Sequence, residues 1–177
     1  MFQLFELFTK RTIMKILDFF LDNPSGEFYE SEIRKKLGIA KASSIRGLKT
    51  LVESQFLAKR TKGRITLYKL DTENVLMKEL KKLKSIFLLV SEFKGIIGVE
   101  ISLYGSGARG EDREGSDLDI LVIGKRLDEV MKIIGKAERK IKRRIKPSFF
   151  SQLEWSQMSK KDPAFYERVE KDKIRLV

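Results

Sequence analysis

At 177 residues, with 42% apolar and 35% charged side chains, the chain has room for one ordinary domain or two small ones and the composition of a folded globular protein. It holds no cysteine and no histidine, which excludes thiol nucleophiles, imidazole bases and zinc clusters; catalysis would rest on carboxylates, hydroxyls, lysine, arginine and a hard cation such as magnesium. The formal charge of +12 points to a polyanionic partner. That charge is concentrated between Lys41 and Lys69, opposed by Glu53 alone, and between Lys136 and Lys146, opposed by Glu138 alone.

The opening segment is rich in Phe, Leu and Ile, but Glu6, Lys10, Arg11, Lys15 and Asp18 interrupt every apolar run. No signal peptide or membrane span is expected, and the sequence reads as a cytoplasmic protein. Phe8, Ile13, Ile16, Leu17, Phe20 and Leu21 recur at helical spacing, and Asn23, Pro24 and Gly26 end that helix. A short extended piece, Glu27 to Tyr29, precedes a second helix over Glu32 to Leu37, closed by Gly38. A third helix begins near Ala42, with Ile45, Leu48, Leu51 and Val52 inward and Lys41, Ser43, Arg46 and Lys49 outward. Two extended runs, Phe56 to Thr61 and Ile65 to Leu70, flank Lys62, Gly63 and Arg64 and predict a hairpin.

Three helices followed by a basic-tipped hairpin resemble the winged helix-turn-helix family over about residues 1–70. In that family the third helix enters the major groove of duplex DNA and the wing touches the backbone. The resemblance therefore implies DNA contacts from Lys41, Ser43, Arg46, Lys49, Arg60, Lys62 and Arg64; the alternative is a protein-interaction or dimerisation wedge with these groups merely solvated. Residues 71–97 read as a connecting helix with Val75, Leu76, Leu80, Leu83 and Phe87 on one side, a stripe that suits packing against either domain or a homodimer seam.

From Val99 to Tyr104 a buried strand runs into Gly105, Ser106, Gly107, Ala108, Arg109 and Gly110, and a second strand, Leu118 to Ile123, is opened by Asp117 and Asp119. Glycine at such a junction lets backbone amides approach a phosphate. Carboxylates at i and i+2 of a strand share a face and can hold magnesium between protein and a nucleoside triphosphate. Gly105, Ser106, Ala108, Arg109, Gly110, Ser116, Asp117, Asp119 and Val122 together complete a pattern that resembles the signature of minimal nucleotidyltransferases in the polymerase-beta-like superfamily.

That resemblance covers residues 98–177 and implies a small mixed sheet flanked by helices. A helix after the second strand (Val130, Ile133, Ile134), a third strand (Ile145 to Phe150), helical turns from Leu153 to Lys171 and a terminal strand agree with it. The fold class expected is α/β (α+β), a winged helix-turn-helix followed by the nucleotidyltransferase domain. By resemblance Gly105 and Ser106 bind phosphates, with Arg109 and Ser116 supporting that nucleotide-binding loop, and Asp117 and Asp119 are the catalytic, metal-holding pair for Mg2+. The family also places a third carboxylate on the next strand, and there the match fails, because Lys146 and Ser148 hold the alternate positions. Glu154, Glu111, Asp112 and Glu114 are the acids near enough in sequence to substitute.

The implied activity is magnesium-dependent transfer of a nucleotidyl group to a hydroxyl. One alternative is a non-catalytic transcription regulator that senses nucleotide or binds a partner. Another is an antitoxin-like protein that modifies or masks a separately encoded one.

Overall fold

The computed structural model describes residues 9–63 and 65–177, so Phe8, Arg64 and the Lys62 side chain lie outside the described residues. Among those described, eight helices and two sheets form a mixed α/β chain with two compact units, Met1–Met77 and Lys78–Val177. No described helix is long and apolar enough to cross a membrane.

In the first unit, α1 (Arg11–Asp22) buries Ile13, Ile16, Leu17 and Phe20 and stops where the Asn23 side-chain amide donates to the Phe19 carbonyl at 2.7 Å. Strand β1 (Glu27–Tyr29) leads into α2 (Glu30–Leu37), which ends at Gly38 in the left-handed region, φ 61°. Helix α3 (Lys41–Glu53) precedes β2 (Leu57–Lys62) and β3 (Ile65–Leu70), and the antiparallel sheet has the order β1-β3-β2. The inner face of α3 differs from the sequence expectation: Ser44, Gly47, Leu48 and Leu51 are buried, whereas Ile45 is exposed. The reason is close helix packing, since a Cβ on Gly47 would lie 2.7 Å from Ile16 Cδ1, so α1 passes over the small residues of α3.

Helix α4 (Val75–Phe93) carries the boundary between the units in its first turn. Its apolar stripe does not face the core of the second unit. Val75, Leu76, Leu83 and Phe87 are exposed, and the buried positions are Met77, Lys81, Ser85, Leu89 and Phe93. Lys81 occupies that inner face because it meets the buried Asp112 carboxylate there.

The second unit is built on a four-stranded sheet of β4 (Val99–Tyr104), β5 (Leu118–Gly124), β6 (Ile145–Phe150) and β7 (Ile174–Arg175) in the order β6-β5-β4-β7. β5 and β6 are parallel and the other pairs antiparallel. The strands alternate sides. Ile101, Leu103, Leu118, Ile120 and Val122 share a core with Leu89 and Phe93 of α4 and with Val130, Ile134 and Ala137 of α6 (Leu127–Ile141). Tyr104, Leu121 and Ile123 pack with Trp155 of α7 (Gln152–Lys161) and Val169 of α8 (Pro163–Asp172). The parallel crossover through α6 brings the start of β6 alongside the start of β5. Glu138 fixes that start, its Oε1 accepting the Ile145 amide proton at 2.8 Å.

Candidate active site

β4 ends at Tyr104, and the chain turns at once into α5 (Gly105–Arg109), a single short helical turn buried at Gly107 and Ala108. Gly105 has φ +71°, and a Cβ there would stand 2.9 Å from Asp119 Oδ2. Only glycine both accepts that backbone conformation and lets the carboxylate lie against the turn. Gly110, at φ +68°, is more tightly constrained, because a Cβ would lie 2.0 Å from the Lys78 carbonyl oxygen of α4.

Across the sheet Tyr104 is paired with Asp119, and Asp119 with Lys146, so these three residues form a row over β4, β5 and β6. Directly opposed residues in neighbouring strands share a face, and this is the face on which Tyr104, Leu121 and Ile123 pack with α7 and α8. The Tyr104 hydroxyl and Ser148 Oγ are hydrogen-bonded at 2.9 Å. Burial raises the Asp119 carboxyl above the ordinary aspartate range; Lys146 and Arg168 pull it back, while Asp117 pushes it further up. Tyr104 is likewise raised, first by burial, with its Ser148 hydrogen bond opposing and the Asp119 charge adding. Arg168 of α8 holds its guanidinium 5.5 Å from the centre of the Phe165 ring. Its influence on both Asp119 and Tyr104 brings a cation to the site that no motif revealed.

The remaining motif residues are held within the protein. Arg109 donates to Glu111 at 2.7 Å and to Asp172, the last residue of α8. Ser116 Oγ accepts the Arg113 amide proton at 2.9 Å, and the Ser116 carbonyl accepts from Arg143 Nη2 at 2.9 Å. Asp112 is buried: Arg143 Nη1 lies 2.8 Å from its Oδ2, Lys81 Nζ lies 3.3 Å from its Oδ1, and Lys81 also donates to its backbone carbonyl. The loop between α5 and β5 is therefore clamped from α4 by Lys81 and from the strand-entry side by Arg143.

These contacts engage three of the four acids near enough in sequence to be third ligands. Glu154 is the second half of a capping box on α7: its carboxylate accepts the Ser151 amide proton at 2.7 Å, and that bond holds the carboxyl below the usual glutamate range. Glu111 is likewise lowered, chiefly by Arg109. Asp112 is committed to Lys81 and Arg143. Among the described residues no group of three His, Cys, Asp or Glu could hold a metal ion. The pair Asp117 and Asp119 still fits an ion shared with phosphate oxygens, since Mg2+ is commonly held by one or two carboxylates plus substrate phosphates.

In the first unit, Lys41, Arg46 and Lys49 are exposed on α3 and Ser43 is half-buried. Lys49 pairs with Glu53 at 3.7 Å and Arg60 with Glu27 at 3.2 Å.

A comparison with curated proteins finds no match. Among solved structures the chain is similar, at 16% identity and a TM-score of 0.30, to the archaeal chromatin protein TrmBL2, described as showing a novel mode of DNA binding; the match covers 96% of this chain and 74% of that one. That score is too low to define a shared fold. A family model described as "Nucleotidyltransferase domain" matches residues 75–176, which takes in α4, the glycine turn, both aspartates and the whole four-stranded sheet. With more than half of its length matched, and the glycine turn and aspartate strand side by side, this chain belongs to the nucleotidyltransferase domain family.

Proposed function

We propose that the second unit transfers a nucleotidyl group from a nucleoside triphosphate to a hydroxyl acceptor, with Mg2+ held by Asp117 and Asp119. The observation that supports this reading is the approach of the Asp119 carboxylate to the Gly105 turn, which brings carboxylate oxygens beside a glycine-containing turn of the kind that can receive phosphate. Gly105 and Ser106 bind the distal phosphates, Arg109 and Ser116 keep their loop in shape, and Arg168 and Lys146 balance negative charge around Asp119. A bound Mg2+ supplies polarisation of the phosphate oxygens. The experiment is magnesium-dependent incorporation of labelled nucleotide from each of the four triphosphates into cell RNA and protein fractions. Incorporation is expected in wild type and lost in the Asp117→Asn, Asp119→Asn double variant. Equal incorporation by the double variant would overturn the assignment, and tight binding without incorporation would favour a nucleotide sensor.

We further infer that the first unit is a winged helix-turn-helix that binds duplex DNA. The supporting observation is the exposed row of Lys41, Arg46 and Lys49 on α3, next to an antiparallel hairpin whose strands carry Lys59 and Arg60. Arg46 has no acidic neighbour one helical turn away, whereas Lys49 has Glu53, so Arg46 is the stronger candidate for a phosphate contact. Changing Lys41 and Arg46 together to Glu is expected to abolish a gel shift and leave the circular dichroism spectrum unchanged. Undiminished DNA binding by that variant would remove α3 as the contact surface.

A further inference from the structure

We propose that Lys146 is a resident cation of the nucleotide site, standing where a second divalent ion would have to be held, so that the site takes one divalent ion per bound triphosphate and not two. The inference rests on the nucleotidyltransferase reading of Asp117 and Asp119. Two-metal sites hold their ions about 3.5–4 Å apart, and they need a bridging carboxylate with further oxygen ligands beyond it. Asp119 is placed to bridge, since it lies against the Gly105 turn on one side. On its other side the register pairs it with Lys146, so the neighbouring strand offers an ammonium there and not an oxygen ligand.

Neighbouring strands lie about 4.8 Å apart, and Asp119 and Lys146 are directly paired on one face. The ammonium can therefore reach the Asp119 carboxylate or whatever that carboxylate holds. A dication and an ammonium on one carboxylate repel each other, and three acids that could otherwise turn toward the site are engaged elsewhere: Glu154 caps α7, Glu111 is paired with Arg109, and Asp112 is buried against Lys81 and Arg143. Arg168 brings further positive charge to the same carboxylate. Lys146 is exposed, so its stem can turn the three ammonium donors onto the phosphate oxygens of a bound triphosphate.

The test uses the full chain with a non-hydrolysable triphosphate and counts bound Mn2+ by electron paramagnetic resonance titration. Wild type is expected to bind one Mn2+ per protein-triphosphate complex, and Lys146→Asp two. Lys146→Met, which changes the charge without adding a ligand, is expected to lose about tenfold in triphosphate affinity when the divalent ion is chelated, the loss typical of one charge-assisted contact. Two Mn2+ ions in wild type, one in Lys146→Asp, or undiminished metal-free affinity in Lys146→Met would each overturn the proposal while leaving the family activity standing. A wild type that takes up no Mn2+-triphosphate at all would remove the nucleotidyltransferase reading, and the Lys146 inference with it.

Discussion

Burial holds the Asp119 carboxyl above the ordinary aspartate range, with Lys146 and Arg168 only partly offsetting it. An acid whose folded pKa is raised binds protons more readily in the native than in the unfolded chain. Its contribution to stability is therefore lost as pH rises from the ordinary aspartate range through the raised folded value, and at neutral pH the ionised group is a net cost. Asp119→Asn is expected to raise Tm by a few degrees at neutral pH, read by scanning calorimetry, while abolishing metal-dependent triphosphate binding. A lower Tm would mean that the carboxylate is held by contacts worth more than its desolvation. At this scale the motif residues stand out in the sequence by their spacing. Arg168 and Tyr104 do not, because they are brought to Asp119 by a strand pairing and by the packing of α8, neither of which leaves a local pattern.

The loop from Gly110 to Asp117 shows how far an element can depart from the reading its composition invites. Its acids resemble a solvated surface cluster, yet Asp112 is buried between a lysine from α4 and Arg143. The same fact explains the inverted face of α4. Leu83 and Phe87 are apolar and yet exposed, whereas Lys81 is inside because a buried carboxylate needs a counter-ion. Such pairing spans 31 residues and cannot be read from either segment alone. Removing one partner of a buried pair typically costs about 3–5 kcal/mol, so Lys81→Met is expected to destabilise the second unit by that order in urea unfolding. A change below about 1 kcal/mol would show that Arg143 alone suffices for Asp112. The strand over Ile145 to Phe150, by contrast, is legible to its last residue, since the proline and paired phenylalanines leave little helical alternative.

For the whole molecule, the mixed α/β class and the family of the carboxyl-terminal part were legible because one short signature joins a glycine turn to a strand. The order β6-β5-β4-β7 was not, since a parallel neighbour and an edge strand only two residues long carry almost no sequence signal. One contact in that architecture reaches beyond the site. Arg109 belongs to the turn proposed to bind phosphate, and it is fastened to Asp172, the last residue of the helix that carries Arg168. The turn and that helix are thus joined by one guanidinium and should lose or gain order together. When triphosphate fills the turn, backbone amides throughout Pro163–Asp172 should exchange their hydrogens with deuterium more slowly, although most of them touch no ligand. In Asp172→Asn the slowing should be confined to Gly105–Arg109. Uniform slowing in both proteins would mean that helix and turn are coupled through the sheet rather than through this ion pair.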